Sequence, residues 1–192
     1  MKVIGICILV FFYAVYIGKM LFQKRKGIQT DQIAKGKRRD KVFYTELIMK
    51  VATYTVVMVE VLSIFLGDSG EMSVVRIIGV VLGIAGDFTF LTAVITMEDS
   101  WRAGIAENDE TKMITNGIYK YSRNPAFLGF DSVYIGFLLM FFNIPLLIAS
   151  LSAILMLHLQ ILQEEAYLQK AFGEEYVWYQ SRVNRYIGKK EN

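Results

Sequence analysis

The sequence of 192 residues contains one cysteine, one histidine and two prolines, and this scarcity excludes several kinds of functional site. Cys7 alone cannot form an intramolecular disulfide, and a metal site built from several cysteines is excluded with it. With His158 as the only histidine, zinc hydrolases and Cys-His nucleophilic enzymes are excluded as well. The chain also has no P-loop and no G-x-G-x-x-G segment after a strand, so we expect neither a metal site nor a soluble nucleotide-binding domain.

Long apolar stretches dominate the chain instead. Hydrophobic residues make up 54% of the sequence, and the mean hydropathy is +0.39. A transmembrane helix needs about 20 apolar residues, and five stretches are candidates: Val3–Phe22, Phe43–Leu66, Val74–Thr96, Ala126–Phe142 and Pro145–Leu162. The sequence predicts an all-α integral membrane protein with about five transmembrane helices. The first is expected to be a retained anchor, since it has no small-residue cleavage site and leads into a basic run.

Lysine and arginine are unevenly distributed along the chain. Seventeen of the 21 fall in residues 23–41, 97–125 and 164–192, and the short loops at 67–73 and 143–144 have none. Because cytoplasmic loops carry an excess of these residues, the N-terminus is expected outside and these three segments in the cytoplasm. The basic run Lys35–Lys41 is interpreted as a topology signal that contacts anionic headgroups, and no nucleic-acid partner is expected.

The segment GIYKYSRNPAFLG, Gly117 to Gly129, stands before an apolar helical hairpin. Asn124-Pro125 is typical of a helix start, because Asn can cap free amide groups and Pro at the first position loses no hydrogen bond. That N-terminus, with Arg123 beside it, is suited to an anionic group. At the other end of the hairpin stand Glu164-Glu165 and FGEEY, Phe172 to Tyr176. The combination can hold a zwitterionic, positively charged cofactor at the membrane surface.

The order of these segments resembles the isoprenylcysteine carboxyl methyltransferase family of integral membrane enzymes. The resemblance covers about residues 98–186 and rests on Gly117, Tyr119, Arg123-Asn124-Pro125, Gly129, Glu164-Glu165, Leu168, Phe172-Gly173, Glu175-Tyr176 and Tyr179. Asn124 and Phe127 replace the usual His and Tyr. SWRAGI, Ser100 to Ile105, resembles a bacterial branch, so the expected location is the bacterial plasma membrane.

The resemblance implies S-adenosylmethionine as cofactor and methyl transfer to a lipophilic acceptor, a carboxylate or similar group. It places the cofactor against Thr111, Lys112, Met113, Ile114, Tyr119, Asn124, Pro125, Ala126, Phe127, Glu164, Glu165 and Tyr176. The family's substrate-orienting Arg falls on Gln160, which puts an isoprenylcysteine substrate in question. Arg102 or Arg123 is the candidate to orient an anionic acceptor instead. The chain then divides into a three-helix membrane region, 1–96, and a methyltransferase-like region, 97–192.

Three other functions remain open. A phospholipid amine N-methyltransferase would need a carboxylate to deprotonate its acceptor, and Glu98 or Asp99 is a candidate. A sterol reductase would bind NADPH, but this chain has neither the basic groups nor the number of spans expected for one. A non-catalytic protein of the same fold would bind only lipid. The acceptor and the oligomeric state stay undetermined at this point.

Ionisable residues within the spans need partners, because charges in lipid are costly. Glu46 and Lys50 can pair along one helix face, and Glu60 can pair with Arg76 across two helices. Asp87 and Asp131 are open to a functional or a structural interpretation. Gly79, Gly83 and Gly86 are expected to let another helix approach closely, within the molecule more readily than between copies.

The remaining polar residues lie toward the C-terminus. His158 is expected to hydrogen-bond a neighbouring helix. The tail is predicted to form a helix from Glu164 to about Ala171, a break at Gly173 and a second helix to about Val183. Tyr176 and Tyr179 are expected to close the cofactor pocket, and Arg185 to contact an anionic headgroup or to act as a topology charge.

Overall fold

The computed structural model describes residues 1–34, 39–67, 72–104 and 112–190, and these residues are almost entirely helical. The helices are α1 (Lys2–Arg25), α2 (Lys41–Leu66), α3 (Val74–Met97), α4 (Pro125–Met140), α5 (Ile144–Phe172) and α6 (Glu174–Arg182). Two 3-10 turns, Glu98–Ser100 and Gly117–Lys120, lie between α3 and α4. The predicted break in the tail is confirmed at Gly173, where the backbone has φ +55°.

Four helices, α1, α2, α3 and α5, are long and apolar enough to cross a membrane. The fourth predicted span is a shorter apolar helix of 16 residues, roughly 24 Å at 1.5 Å per residue. The prediction of an all-α integral membrane protein is confirmed, with the difference that α4 is shorter than a standard span.

Polar side chains and prolines determine where the helices begin. Asp40 accepts a hydrogen bond from the amide of Phe43 at the start of α2. Asn143 does the same for Leu146 at 2.8 Å and so starts α5. Both prolines of the chain occupy the first turn of a helix, in α4 and α5, where the missing amide costs no hydrogen bond. The turn at Asn143 therefore closes the predicted antiparallel hairpin.

Glycines bring α3 and α4 into close contact. A Cβ atom on Gly86 would lie 2.8 Å from the carbonyl oxygen of Gly129, and one on Gly79 would lie 2.7 Å from that of Gly136. Contacts this short leave no room for a side chain, so the two backbones approach as small-residue pairs allow in membranes. The expectation that the glycines of α3 pack within the molecule is confirmed.

An aromatic cluster fills the interior between α1, α3 and α4. The ring of Phe12 lies 4.6 Å from that of Phe90 and 4.7 Å from that of Phe130, measured between centroids. Trp101 belongs to the same core. Residues from both predicted regions, 1–96 and 97–192, thus share one hydrophobic core, to which Ile64 of α2 and Leu146 of α5 also belong.

Several charged groups of the spans differ from the expected pairing. The prediction of an ion pair between Glu60 and Arg76 is wrong. Glu60 points into the bundle and has no exposed surface, and neither of its carboxylate oxygens has a partner among the described residues. Lys50 lies 3.6 Å from Asp31 in the first loop. One carboxylate oxygen each of Asp87 and Asp131 is buried without a partner in the described part of the chain.

Three of the connecting segments meet at one end of the bundle. The amide of Ala103 donates to the carbonyl of Thr30 at 3.0 Å, which joins the first loop to the segment after α3. The amide of Arg123 donates to the carbonyl of Asn184 at 3.1 Å, which joins the segment before α4 to the tail. The described parts of all three basic segments therefore share one end, although Lys35, Lys37 and Arg38 lie outside the described residues.

Candidate functional site

A cavity of about 220 Å³ opens at the end of the bundle where these segments meet. Residues of α1, α2, α3, α4 and α5 line one side, and the segment before α4 and the tyrosines of α6 line the other. Sequence-predicted residues in its wall are Arg102, Lys112, Met113, Ile114, Tyr119, Arg123, Asn124, Ala126, Phe127, Glu164 and Tyr176. Thr111 lies outside the described residues, and Pro125 and Glu165 are not in the cavity wall.

The helix α6 closes the polar side of the cavity. The hydroxyl of Tyr179 donates to the carbonyl of Tyr119 at 2.7 Å, so α6 is fastened to the turn before α4. Tyr176 packs against Tyr179 and lines the cavity. Burial raises the pKa of Tyr176 to about 12, and the nearby Glu165 adds to this. The phenol is therefore neutral at physiological pH and offers an aromatic face to the cavity.

A buried ionic cluster lies directly behind the cavity wall. Glu165 accepts from Arg123 at 2.9 Å through one carboxylate oxygen and from Arg185 at 2.9 Å through the other. The side chains of Arg123 and Glu165 are only 4% and 6% exposed. The hydrogen bond to Glu165 raises the pKa of Arg185. This cluster joins the start of α4, the end of α5 and the tail, so Glu165 and Arg185 have positioning contacts. Arg123 binds Glu165 through Nη2, and its buried Nε atom has no partner among the described residues.

The start of α4 differs from the sequence-based interpretation. The side chain of Asn124 does not cap the helix. Its side-chain nitrogen, Nδ2, instead donates to the carboxylate of Glu165 at 3.0 Å and to the backbone carbonyl of Arg185 at 3.2 Å. These two hydrogen bonds orient the side chain toward the cluster, where it acts as a donor, whereas a cap would need it as an acceptor at the helix start. The first turn of α4, with Ala126 and Phe127 in the cavity wall, therefore keeps amides available to a ligand.

A second polar network connects α2 and α5 at the cavity. The side-chain nitrogen of Gln160, Nε2, donates to the carboxylate of Glu164 at 3.0 Å and to that of Glu46 at 3.3 Å. Glu46 also accepts from the amide of Ala34 at 2.7 Å. Gln160 and Glu164 line the cavity, while Glu46 lies behind Gln160 and is 4% exposed. Glu46 is therefore part of a buried network that joins α2, α5 and the first loop.

The part of the cavity beyond Gln160 is apolar. Met49, one turn along α2 from Glu46, and Leu157, one turn along α5 from Gln160, both line it. The aromatic core contributes a wall of rings: Tyr13, Tyr16, Phe90, Trp101 and Phe130. One cavity therefore has a polar half, next to Glu164, and a hydrophobic half between the long helices.

Sequence reasoning missed several of these residues. Glu46 and Gln160 are 114 positions apart, and no local pattern indicates that they meet. Trp101 belongs to the aromatic core and Phe130 packs against it, and both line the cavity, but neither was named as a site residue from the sequence. His158 has a structural hydrogen bond, as expected, but its partner is the hydroxyl of Tyr186 in the tail at 2.5 Å and not a neighbouring helix. His158 lies outside the cavity wall.

A comparison with protein families supports the resemblance found in the segment before α4. Residues 77–170 match the isoprenylcysteine carboxyl methyltransferase (ICMT) family model. This match covers just under half of the chain. The matched region runs from α3 through most of α5 and includes the segment before α4, Gln160 and Glu164.

Two curated members of the family are similar in sequence. Both are named probable protein-S-isoprenylcysteine O-methyltransferase, from Oryza sativa subsp. indica and subsp. japonica. Each is 32% identical over 114 residues, which is 57% of this chain and 59% of the relative. The chain thus spans about three fifths of the length of these relatives.

Proposed function

We propose that the protein is a membrane-embedded, S-adenosylmethionine-dependent methyltransferase that modifies a lipophilic acceptor. The observation that carries this proposal is the two-sided cavity, which has a polar half beside Glu164 and an apolar half between the spans. A methyl transfer between a water-soluble donor and a lipid-like acceptor needs both surfaces in contact. The names of the two relatives and the family match support the same reaction class.

The residues of the polar half fit the donor's chemistry. S-adenosylmethionine supplies a methyl group on a sulfonium, whose carbon–sulfur bond breaks with the electron pair staying on sulfur. The uncapped first turn of α4 suits its carboxylate. Glu164 suits its ammonium group or ribose hydroxyls, and the aromatic faces of Tyr119 and Tyr176 suit a positively charged sulfur. Arg102 and Lys112 remain candidates for contacts with an anionic group.

The protein's own contribution is alignment and the exclusion of water. Methyl transfer from a sulfonium is a direct displacement, so holding the two groups in line is the main requirement. Tyr179 and Tyr119 close α6 over the polar half, and the Arg123–Glu165 cluster fixes the start of α4 beneath it. With the expected topology, this end of the bundle faces the cytoplasm, where the donor is made.

Calorimetric titration of the purified protein with S-adenosylhomocysteine tests donor binding, and a saturable one-to-one isotherm is expected. Membranes incubated with radiolabelled S-adenosylmethionine then test transfer. Label in an extractable lipophilic product that requires the protein supports the proposal. Protein that is folded but does not bind S-adenosylhomocysteine contradicts it. A Glu164→Ala variant, in which transfer should be lost, controls for activity from other enzymes.

A further inference from the structure

We propose that the acceptor subsite of this cavity takes the amino head group of a lipophilic amine in preference to a carboxylate. The inference rests on the proposed methyl transfer and specifies its acceptor. It is carried by the Gln160 side chain, which lies where the polar and apolar halves of the cavity meet. Gln160 is 1% exposed, lines the cavity, and has an Oε1 atom without a partner among the described residues.

The orientation of the Gln160 amide follows from its neighbours. Its nitrogen lies within hydrogen-bond distance of two carboxylates, Glu164 at 3.0 Å and Glu46 at 3.3 Å. An amide oxygen in that place would face two acceptors, so the amino group must point toward them. Both N–H donors are then used, and the only group that Gln160 can offer to a ligand is its carbonyl oxygen.

The immediate neighbours of the Gln160 side chain are therefore acceptors. Gln160 presents an oxygen, and the Glu164 carboxylate lines the cavity beside it, while the cations Arg102, Lys112 and Arg123 line other parts of the same wall. The Nη2 atom of Arg123 is bound to Glu165 at 2.9 Å. A carboxylate ligand would find repulsion at Gln160 and Glu164, whereas an ammonium or amine would satisfy the orphaned oxygen. Leaving a buried acceptor without a partner costs free energy that such a donor recovers.

The apolar half of the cavity determines the rest of the acceptor. Met49, Leu157 and Phe130 extend from Gln160 into the bundle, so a long hydrocarbon chain can lie there with its head group at Gln160. The ammonium must lose one proton before its nitrogen can attack the methyl carbon of the sulfonium, and the new C–N bond then replaces that N–H bond. Glu164, which lines the cavity beside Gln160, can take up this proton if it contacts the donor through the ribose hydroxyls and not through the ammonium group.

Trp101 provides a probe of acceptor binding that does not require the donor. The chain has two tryptophans. Trp101 lines the cavity and is 4% exposed, whereas Trp178 is 55% exposed on α6. In a Trp178→Phe background, quenching of fluorescence by a brominated long-chain alkyl amine reports binding in the cavity. The matched probe is the long-chain carboxylic acid with the same bromine position.

At neutral pH, we expect the amine to quench Trp101 at about one tenth of the acid concentration or below. A charge-assisted hydrogen bond accounts for a difference of this size. Gln160→Met, which keeps the volume but removes the acceptor, should abolish this difference. Gln160→Arg should reverse it. Gln163→Met is the matched control on the same helix, since Gln163 is absent from the cavity wall, and it should leave the ratio unchanged.

Three results overturn the inference: equal or tighter binding of the acid, the same loss of preference in Gln163→Met as in Gln160→Met, or displacement of the amine by S-adenosylhomocysteine. The last result would assign Gln160 to the donor. Calorimetry with S-adenosylhomocysteine on the same sample separates the two proposals. If the amine binds preferentially but S-adenosylhomocysteine does not bind, the methyl transfer fails and the amine site stands.

Discussion

Glu164 and Glu165 are neighbours in sequence but lie on opposite sides of the cavity wall. Glu164 lines the cavity, and Glu165 lies behind it, 2.9 Å from both Arg123 and Arg185. Consecutive residues of a helix point about 100° apart, so one carboxylate can serve a ligand while the other holds the wall together. Loss of the Glu164 charge should therefore affect ligand binding, and loss of the Glu165 charge should affect stability.

Glu164→Gln should weaken S-adenosylhomocysteine binding about tenfold or more and change thermal stability little, because it removes a charge-assisted contact from the cavity. Glu165→Gln should lower stability instead, since it leaves Arg123 buried beside a neutral group; breaking such a pair costs about 3–5 kcal/mol. Calorimetry and melting of the purified variants measure the two effects. The assignment is wrong if both variants bind like the wild type or if their effects are exchanged.

Asn124→Asp should destabilise the protein by more than Asn124→Ala. A helix cap would accept either Asn or Asp, but the Asn124 amide donates to Glu165 at 3.0 Å. An aspartate there can no longer donate and places a negative charge against Glu165. Melting temperatures of the two variants, compared with the wild type, decide between the roles. An Asp variant as stable as the wild type would restore the capping interpretation.

Gly86→Ala should destabilise the protein by about 1–3 kcal/mol, since the new methyl would lie 2.8 Å from the backbone oxygen of Gly129. Gly18→Ala is the control, because a Cβ on Gly18 meets nothing within 4 Å, and Ala stabilises a helix relative to Gly. Thermal melting should therefore move in opposite directions for the two variants. A shared direction would argue against the close contact of α3 with α4.

Single cysteines should reveal the orientation of the chain. In a Cys7→Ser background, an impermeant thiol reagent applied to intact cells should label Met72→Cys but not Lys170→Cys. Both positions are exposed, one before α3 and the other near the end of α5. Disrupted cells, in which both should react, control for accessibility. Labelling of position 170 from outside would place the cavity on the other face.

The sequence predicted the helices well because apolar length and helix starts are local properties. Pro125 and Pro145 stand in the first turns of α4 and α5, and Asn143 caps α5 as its position suggests. The predicted capping role of Asn124 was wrong, although Asn124 also stands directly before a helix, as Asn143 does. Its partner Glu165 is 41 positions away, and a buried charge outweighs a cap.

The intramembrane charges illustrate the same limit. Glu46 and Glu60 lie on one helix. The sequence analysis paired Glu46 with Lys50 along that helix and Glu60 with Arg76 on the next one. The structure turns both into the bundle, where Glu46 meets Gln160 and Glu60 has no partner among the described residues. Which face of an apolar helix points inward depends on contacts between distant segments. Periodicity could not decide this, because the lipid-facing side is apolar too.

The length of α5 relates the site to the thickness of the bilayer. The helix has 29 residues, and from its start at Ile144 it reaches Glu164 after roughly 30 Å, about the depth of the hydrocarbon core. If Ile144 lies at one boundary of the hydrocarbon core, the carboxylate lies near the opposite boundary, at a height set by one continuous helix. In a thicker bilayer, we then expect Glu164 to lie within the hydrocarbon layer. Lipid chain length is therefore expected to change the position of the site relative to the headgroups.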